Sequence, residues 1–75
     1  MRYRVSAAYQ RLMPDGEIQN DTRVIERTEF LDQASEDVQK AYFASKGRVE
    51  IIEQIVSLHN YVDKSIANVQ VEFLK

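Results

Sequence analysis

Residues 13–17 read MPDGE and stand between two runs of alternating polar and apolar residues, so the chain is expected to reverse on itself there. Pro14 presets the φ angle of the first central turn position, Asp15 suits the second, and Gly16 can adopt the left-handed conformation that completes a three-residue hairpin loop. The run before it, residues 2–12, sets Tyr3, Val5, Ala7 and Tyr9 against Arg2, Arg4, Ser6, Ala8 and Gln10, the period of a half-buried strand. Closing the loop at Pro14–Gly16 sets Met13 opposite Glu17, and the pairs then follow one by one: Leu12 with Ile18, Val5 with Ile25, Tyr3 with Arg27. The same count brings Arg4 across from Glu26, an opposite-charge pair that favours this register. It also puts Ile25 on the core face and Val24 on the polar one.

Beyond Phe30 the period becomes helical. Leu31, Ala34, Val38, Ala41 and Tyr42 form one stripe, with Asp32, Glu36 and Asp37 in the early turns, where the helix dipole favours negative charge. Lys40 and Lys46 follow, and Gly47 stands where a left-handed cap is expected, so the spacing predicts a helix over roughly 32–46. The next stretch, GRVEIIEQIVSLHNYVDK, is rich in β-branched residues, yet as a strand neither of its faces is cleanly apolar. As a helix, Val49, Ile51, Ile52, Ile55, Val56, Leu58 and Val62 fill one arc of about 180°. A second helix is therefore predicted over 48–62, because burial overrides propensity deficits of a few tenths of a kcal/mol per residue. A strand there would instead give ββαββ. The two stripes run nearly in phase, so one long helix that tolerates Gly47 at about 1 kcal/mol is the other possibility; a break is expected, since a long helix would have little of its own chain to lie against. ANVQVEFLK then closes the chain as a strand with Val69, Val71 and Phe73 inward. The expected architecture is a single α+β domain over 1–75, ββααβ: an antiparallel hairpin plus C-terminal strand with two helices packed on one face.

A domain of 75 residues buries only about 60% of its unfolded surface, and with no cysteine there is no disulfide or thiolate metal site to reinforce it. Oligomerisation is the commonest remaining source of stability. The 48–62 arc is broader than a three-stranded sheet already carrying a helix can cover, which makes Ile51, Ile55, Leu58, His59 and Val62 the expected interface of a homo-oligomer. His59, the only histidine, is expected to be a core or interface residue bonded to a tyrosine hydroxyl or a carbonyl, since no orienting carboxylate and nucleophile accompany it.

Charge is segregated along the chain: residues 15–37 hold eight carboxylates against Arg23 and Arg27. Asp15, Glu17, Asp21, Asp32 and Glu36 are candidates for an acidic recognition surface, although a solvated face explains most of them. Their spacing is not that of a calcium loop, and no histidine completes a transition-metal set, so no metal is expected. Glycine-rich phosphate loops, nucleophile elbows and cofactor fingerprints are also missing, so neither a cofactor nor catalysis is expected. The net charge of −2 argues against nucleic acid. Arg2 and Arg4 fall on the face opposite Tyr3 and Tyr9, which rules against a stacking platform for single strands, and Glu50, Glu53 and Gln54 would face DNA in a helix-turn-helix at 32–62. The N-terminus has no apolar run of the signal-peptide kind and no stretch is of membrane-spanning length, so a soluble, cytoplasmic chain without membrane association is expected. These features together predict a small protein–protein interaction or regulatory module, self-associating. The alternatives are a nucleic-acid-associated regulator that uses a helix pair, and an inhibitor or adaptor, of viral or mobile-element type, that docks its acidic region on a larger enzyme.

Overall fold

The MPDGE loop closes as its residues dictate: Met13 N–H donates to the Glu17 carbonyl at 2.8 Å, Gly16 N–H to the Met13 carbonyl at 2.9 Å, and Gly16 takes φ 88°. The Asp15 carboxylate accepts from Glu17 N–H at 2.9 Å and braces the turn. In the computed structural model, which describes residues 1–75, the loop joins β1 (Arg2–Leu12) to β2 (Ile18–Thr28). Their antiparallel register is the predicted one, with Val5 opposite Ile25, Tyr3 opposite Arg27 and Arg4 opposite Glu26. Arg4 Nη2 lies 3.0 Å from the Glu26 carboxylate. β3 (Ala67–Leu74) pairs with the other edge of β1, giving the sheet order β2-β1-β3. Val69, Val71 and Phe73 of β3 are half-buried, and Gln70 and Glu72 exposed, as their alternation predicts. Asn68, at φ 55°, carries the register shift between Ser6 and Ala8, a left-handed position that asparagine tolerates.

The two-helix expectation is overturned: the sheet carries a single helix, α1 (Glu36–Val56), and the architecture is ββαβ. Gly47 caps nothing. It lies mid-helix, facing the sheet, where a Cβ would stand 2.7 Å from Val5 Cγ2 and 3.2 Å from Tyr3 Cε2. The glycine thus lets the helix axis approach the central strand, and that packing offsets its poor helix propensity. Nor does the sheet have room for a second helix, since three strands about 4.8 Å apart are spanned by one helix about 10 Å across.

Both ends of α1 also differ from expectation. The helix starts at Ser35, whose Oγ accepts from Val38 N–H at 3.2 Å, with Glu36 and Asp37 in the first turn. Asp32 precedes it. The 31–34 segment is strapped to the helix by the buried Gln39 side chain, which accepts from Leu31 N–H at 3.3 Å and donates to the Ala34 carbonyl at 3.2 Å. At the other end Ser57 terminates the helix, its Oγ donating to the Gln54 carbonyl at 2.8 Å. Residues 58–62 turn back along β1: Leu12 N–H donates to the Asn60 carbonyl at 2.8 Å and Val62 N–H to the Gln10 carbonyl at 2.9 Å. This segment continues the edge that β3 leaves free, so it is neither the second helix nor a strand of a second hairpin.

The core forms where α1 crosses β1. Tyr3, Val5, Ala7 and Tyr9 from β1 meet Phe43, Ile51 and Ile55 from α1, with Ile25 from β2. Tyr3 stacks on Phe43 with ring centroids 5.4 Å apart. The molecule measures 51 × 19 × 16 Å, its hairpin tip reaching well past the core. No helix is long and apolar enough to cross a membrane.

Candidate functional site

The helix has two apolar faces. The sheet-facing side consists of Gln39, Phe43, Gly47, Ile51 and Ile55, each four residues from the next and all buried. Opposite it run Val38, Tyr42, Ser45, Val49, Ile52 and Val56, separated by four, three, four, three and four residues. At about 100° per residue these six stay within about 40° of one line along the helix, on the side pointing away from the sheet. The five apolar members are 39–54% exposed. Alternating steps of three and four are the spacing of a coiled-coil seam, whereas a helix facing only a sheet needs no second stripe.

The outer face of the sheet mixes ion pairs with exposed apolar residues, Val24 among them. There Arg4 sits between Glu26 at 3.0 Å and Glu72 at 3.7 Å, a charge-paired surface facing solvent. The remaining exposed apolar residues, among them Leu12 and Ile18 near the hairpin tip and Phe30 in the loop, lie outside the stripe.

Between α1 and β2 lies an open cleft of about 500 Å³, which takes in Tyr42, Ser45 and Val49 from the flank of the stripe together with Arg27, Glu29, Lys46, Glu50 and Glu53. Its charges are tied to one another. Arg27 donates to the Glu50 carboxylate, through Nε at 2.9 Å. The Glu29 carboxylate receives the Tyr3 hydroxyl and, at 2.5 Å, the Lys46 ammonium. The Lys46 contact, with Tyr3 second, holds Glu29 below the usual carboxylate range, and the same contact raises Lys46. Burial, reinforced by the bond to Glu29, pushes the Tyr3 hydroxyl well up.

The interface residues expected from sequence are dispersed. Ile51 and Ile55 are fully enclosed against the sheet and cannot touch another chain. Leu58 and Val62 are half-buried in the return segment, Leu58 packing on the core, and His59 is exposed beside Asn60 in a shallow cleft with Leu12, Met13 and Pro14. His59 is thus neither a core histidine nor bonded to a tyrosine. The helix differs in phase from the expected one: of the apolar arc, the Ile51–Ile55 side is buried and the Val49–Ile52–Val56 side is left out. In the first half the stripe through Val38 and Tyr42 is the outward one, and Phe43, absent from it, is the buried residue.

The acidic candidates do not form one surface either. Asp15 and Glu17 are at the hairpin tip, whereas Asp32 and Glu36 lie beyond the opposite end of β2, a separation of roughly 35 Å over an eleven-residue strand. Asp21 is paired to Arg11 at 3.0 Å and Glu36 to Lys40 at 3.5 Å. Comparisons with protein-family models, curated proteins and solved structures find no match.

Proposed function

We propose that this chain is a small non-enzymatic protein–protein interaction module that works as a homo-oligomer, with the outward stripe of α1 as its contact surface. The observation that carries this is the second apolar face, six positions at seam spacing along the full helix and directly opposite the face that the sheet covers. A domain this small gains substantially from covering such a face with a second copy. The cleft supports a non-catalytic reading: Tyr3 and Lys46 are moved up and Glu29 down, each away from the neutral range in which a general acid or base is effective. The two-helix unit required for a helix-turn-helix is not formed, and the separated carboxylates offer no single acidic docking surface.

Sedimentation velocity from low to high micromolar concentration tests the proposal, with Val49→Asp as the disrupting variant. Val49 lies outside the buried core, so the variant is expected to keep its far-UV circular dichroism while falling to the monomer mass. A wild-type chain that remains monomeric throughout, or a Val49→Asp chain that associates as before, refutes it.

A further inference from the structure

We infer that two copies pair through α1 in parallel, as a two-stranded coiled coil whose register is set by Arg48 of each copy meeting Glu53 of the other. This rests on the reading of α1 as the self-association face. In seam terms Tyr42, Val49 and Val56 take the a positions and Val38, Ser45 and Ile52 the d positions, which makes Lys46 and Glu53 e residues and Ala41 and Arg48 g residues. In a parallel pair each g residue lies beside the e residue five positions on in the other helix. Arg48 then meets Glu53 twice per dimer, and Ala41 meets Lys46 without conflict.

The intrachain ion pairs leave these two charges free. Glu36 is paired to Lys40, Lys46 to Glu29 and Glu50 to Arg27, whereas Arg48 and Glu53 make no salt bridge within the chain. They flank the stripe from opposite sides, as complementary partners across a parallel seam must. The antiparallel alternative that keeps all six seam positions in layers centres on residue 47. That arrangement sets Arg48 against Arg48 of the second copy, and this contact is repulsive because neither arginine has a carboxylate partner within its own chain. Ser45 adds a further preference. Parallel packing places the one polar seam residue against itself, whereas antiparallel packing sets it against Val49, and a polar seam position specifies register in this way. Because α1 runs toward the hairpin end of the sheet, both hairpin tips then project from the same end of the dimer.

The absence of native cysteine makes the orientation directly measurable. Under mild oxidation Ser45→Cys is expected to form a disulfide-linked dimer, because d residues face each other across a parallel seam within disulfide reach. Arg48→Glu and Glu53→Arg alone are each expected to weaken dimerisation about tenfold, and together to restore it. If sedimentation shows a dimer but Ser45→Cys stays unlinked while a mixture of Ser45→Cys and Val49→Cys chains cross-links, the parallel arrangement is refuted and the association face stands. Charge reversals without effect on the dimer refute it equally. A monomer at all concentrations refutes both.

Discussion

Substituting alanine at a mid-helix glycine ordinarily stabilises a helix by about 1 kcal/mol, through propensity and a less free unfolded chain. Gly47→Ala is expected to do the opposite. The new Cβ would stand 2.7 Å from Val5 Cγ2, against the 3.5–4.0 Å at which carbon atoms normally rest. Neither neighbour yields readily: Val5 is a β-branched residue, fully enclosed on a strand paired along both edges, and the Tyr3 ring is held by Phe43 and its hydroxyl by Glu29. Relief requires the middle of α1 to lift from β1, which loosens Phe43 and Ile51 one turn to either side. Overpacking of this kind is worth about 1–3 kcal/mol, so after the local gain of about 1 kcal/mol the net loss is at most roughly 2 kcal/mol, and the 2.7 Å contact places it toward that end. For a domain of this size a loss of about 2 kcal/mol lowers Tm by roughly 8–16 °C, readable by far-UV circular dichroism at fixed protein concentration. The penalty should fall by more than half in a Val5→Ala background, where the nearest clashing methyl is gone. A Gly47→Ala chain that melts higher than wild type, or an equal penalty in both backgrounds, refutes the close approach as the reason for the glycine.

Ser35→Ala removes the acceptor for Val38 N–H and is expected to destabilise the fold by about 1 kcal/mol, whereas Asp32→Ala, outside the helix, leaves Tm unchanged; thermal melts of the two variants decide it. Glu29 is held below its ordinary value of 4.5, so its contribution is present above that pH and is lost as pH falls through the folded value. Glu29→Gln should therefore flatten the acid limb of a stability–pH profile between neutral pH and pH 3, and an unchanged limb refutes the assignment. At the alkaline end Lys46 and Tyr3 are raised above 10.5 and 10.0, so their contributions are complete below those values and decline as pH rises past them, which denaturant titrations at pH 9 and pH 11 can measure.

The hairpin was legible because turn chemistry and alternation constrain each other: Pro14 and Gly16 locate the loop, and the register of every pair from Leu12–Ile18 to Tyr3–Arg27 follows by counting. The C-terminal strand was legible from alternation alone, Val69, Val71 and Phe73 against Gln70 and Glu72. The helix was harder because both of its faces are apolar. One broad arc through Val49, Ile51, Ile52 and Ile55 averages two stripes, and Gly47 mimics a stop signal because a glycine after Lys46 resembles a helix end. The signals that separate the stripes were present in the spacing. Phe43, Gly47, Ile51 and Ile55 repeat every four residues, the outward six alternate three and four, and the Ser35–Glu36–Asp37 sequence marks the start. What no spacing reveals is that Gly47 lies over Val5, a contact between residues 42 apart that only the folded chain creates.

That contact links the fold to the proposed association face. A helix drawn close to a narrow sheet by one glycine meets it along a strip, and the residues on that strip are spent on β1. The sheet offers three strands, which α1 already spans, and the chain contributes no second helix to lie over the back of the first. Val38, Tyr42, Val49, Ile52 and Val56 are therefore left about half exposed. Leaving a row of valines and isoleucines in water forgoes roughly 25 cal/mol for every Å² that a partner would bury, and a random surface would break the row with charge. Here the charges fall on its two borders, Arg48 on one side and Glu53 on the other, and leave the middle clear. The proposed helix–helix contact requires this distribution, because charge in the middle would exclude a partner while charge at the borders selects one.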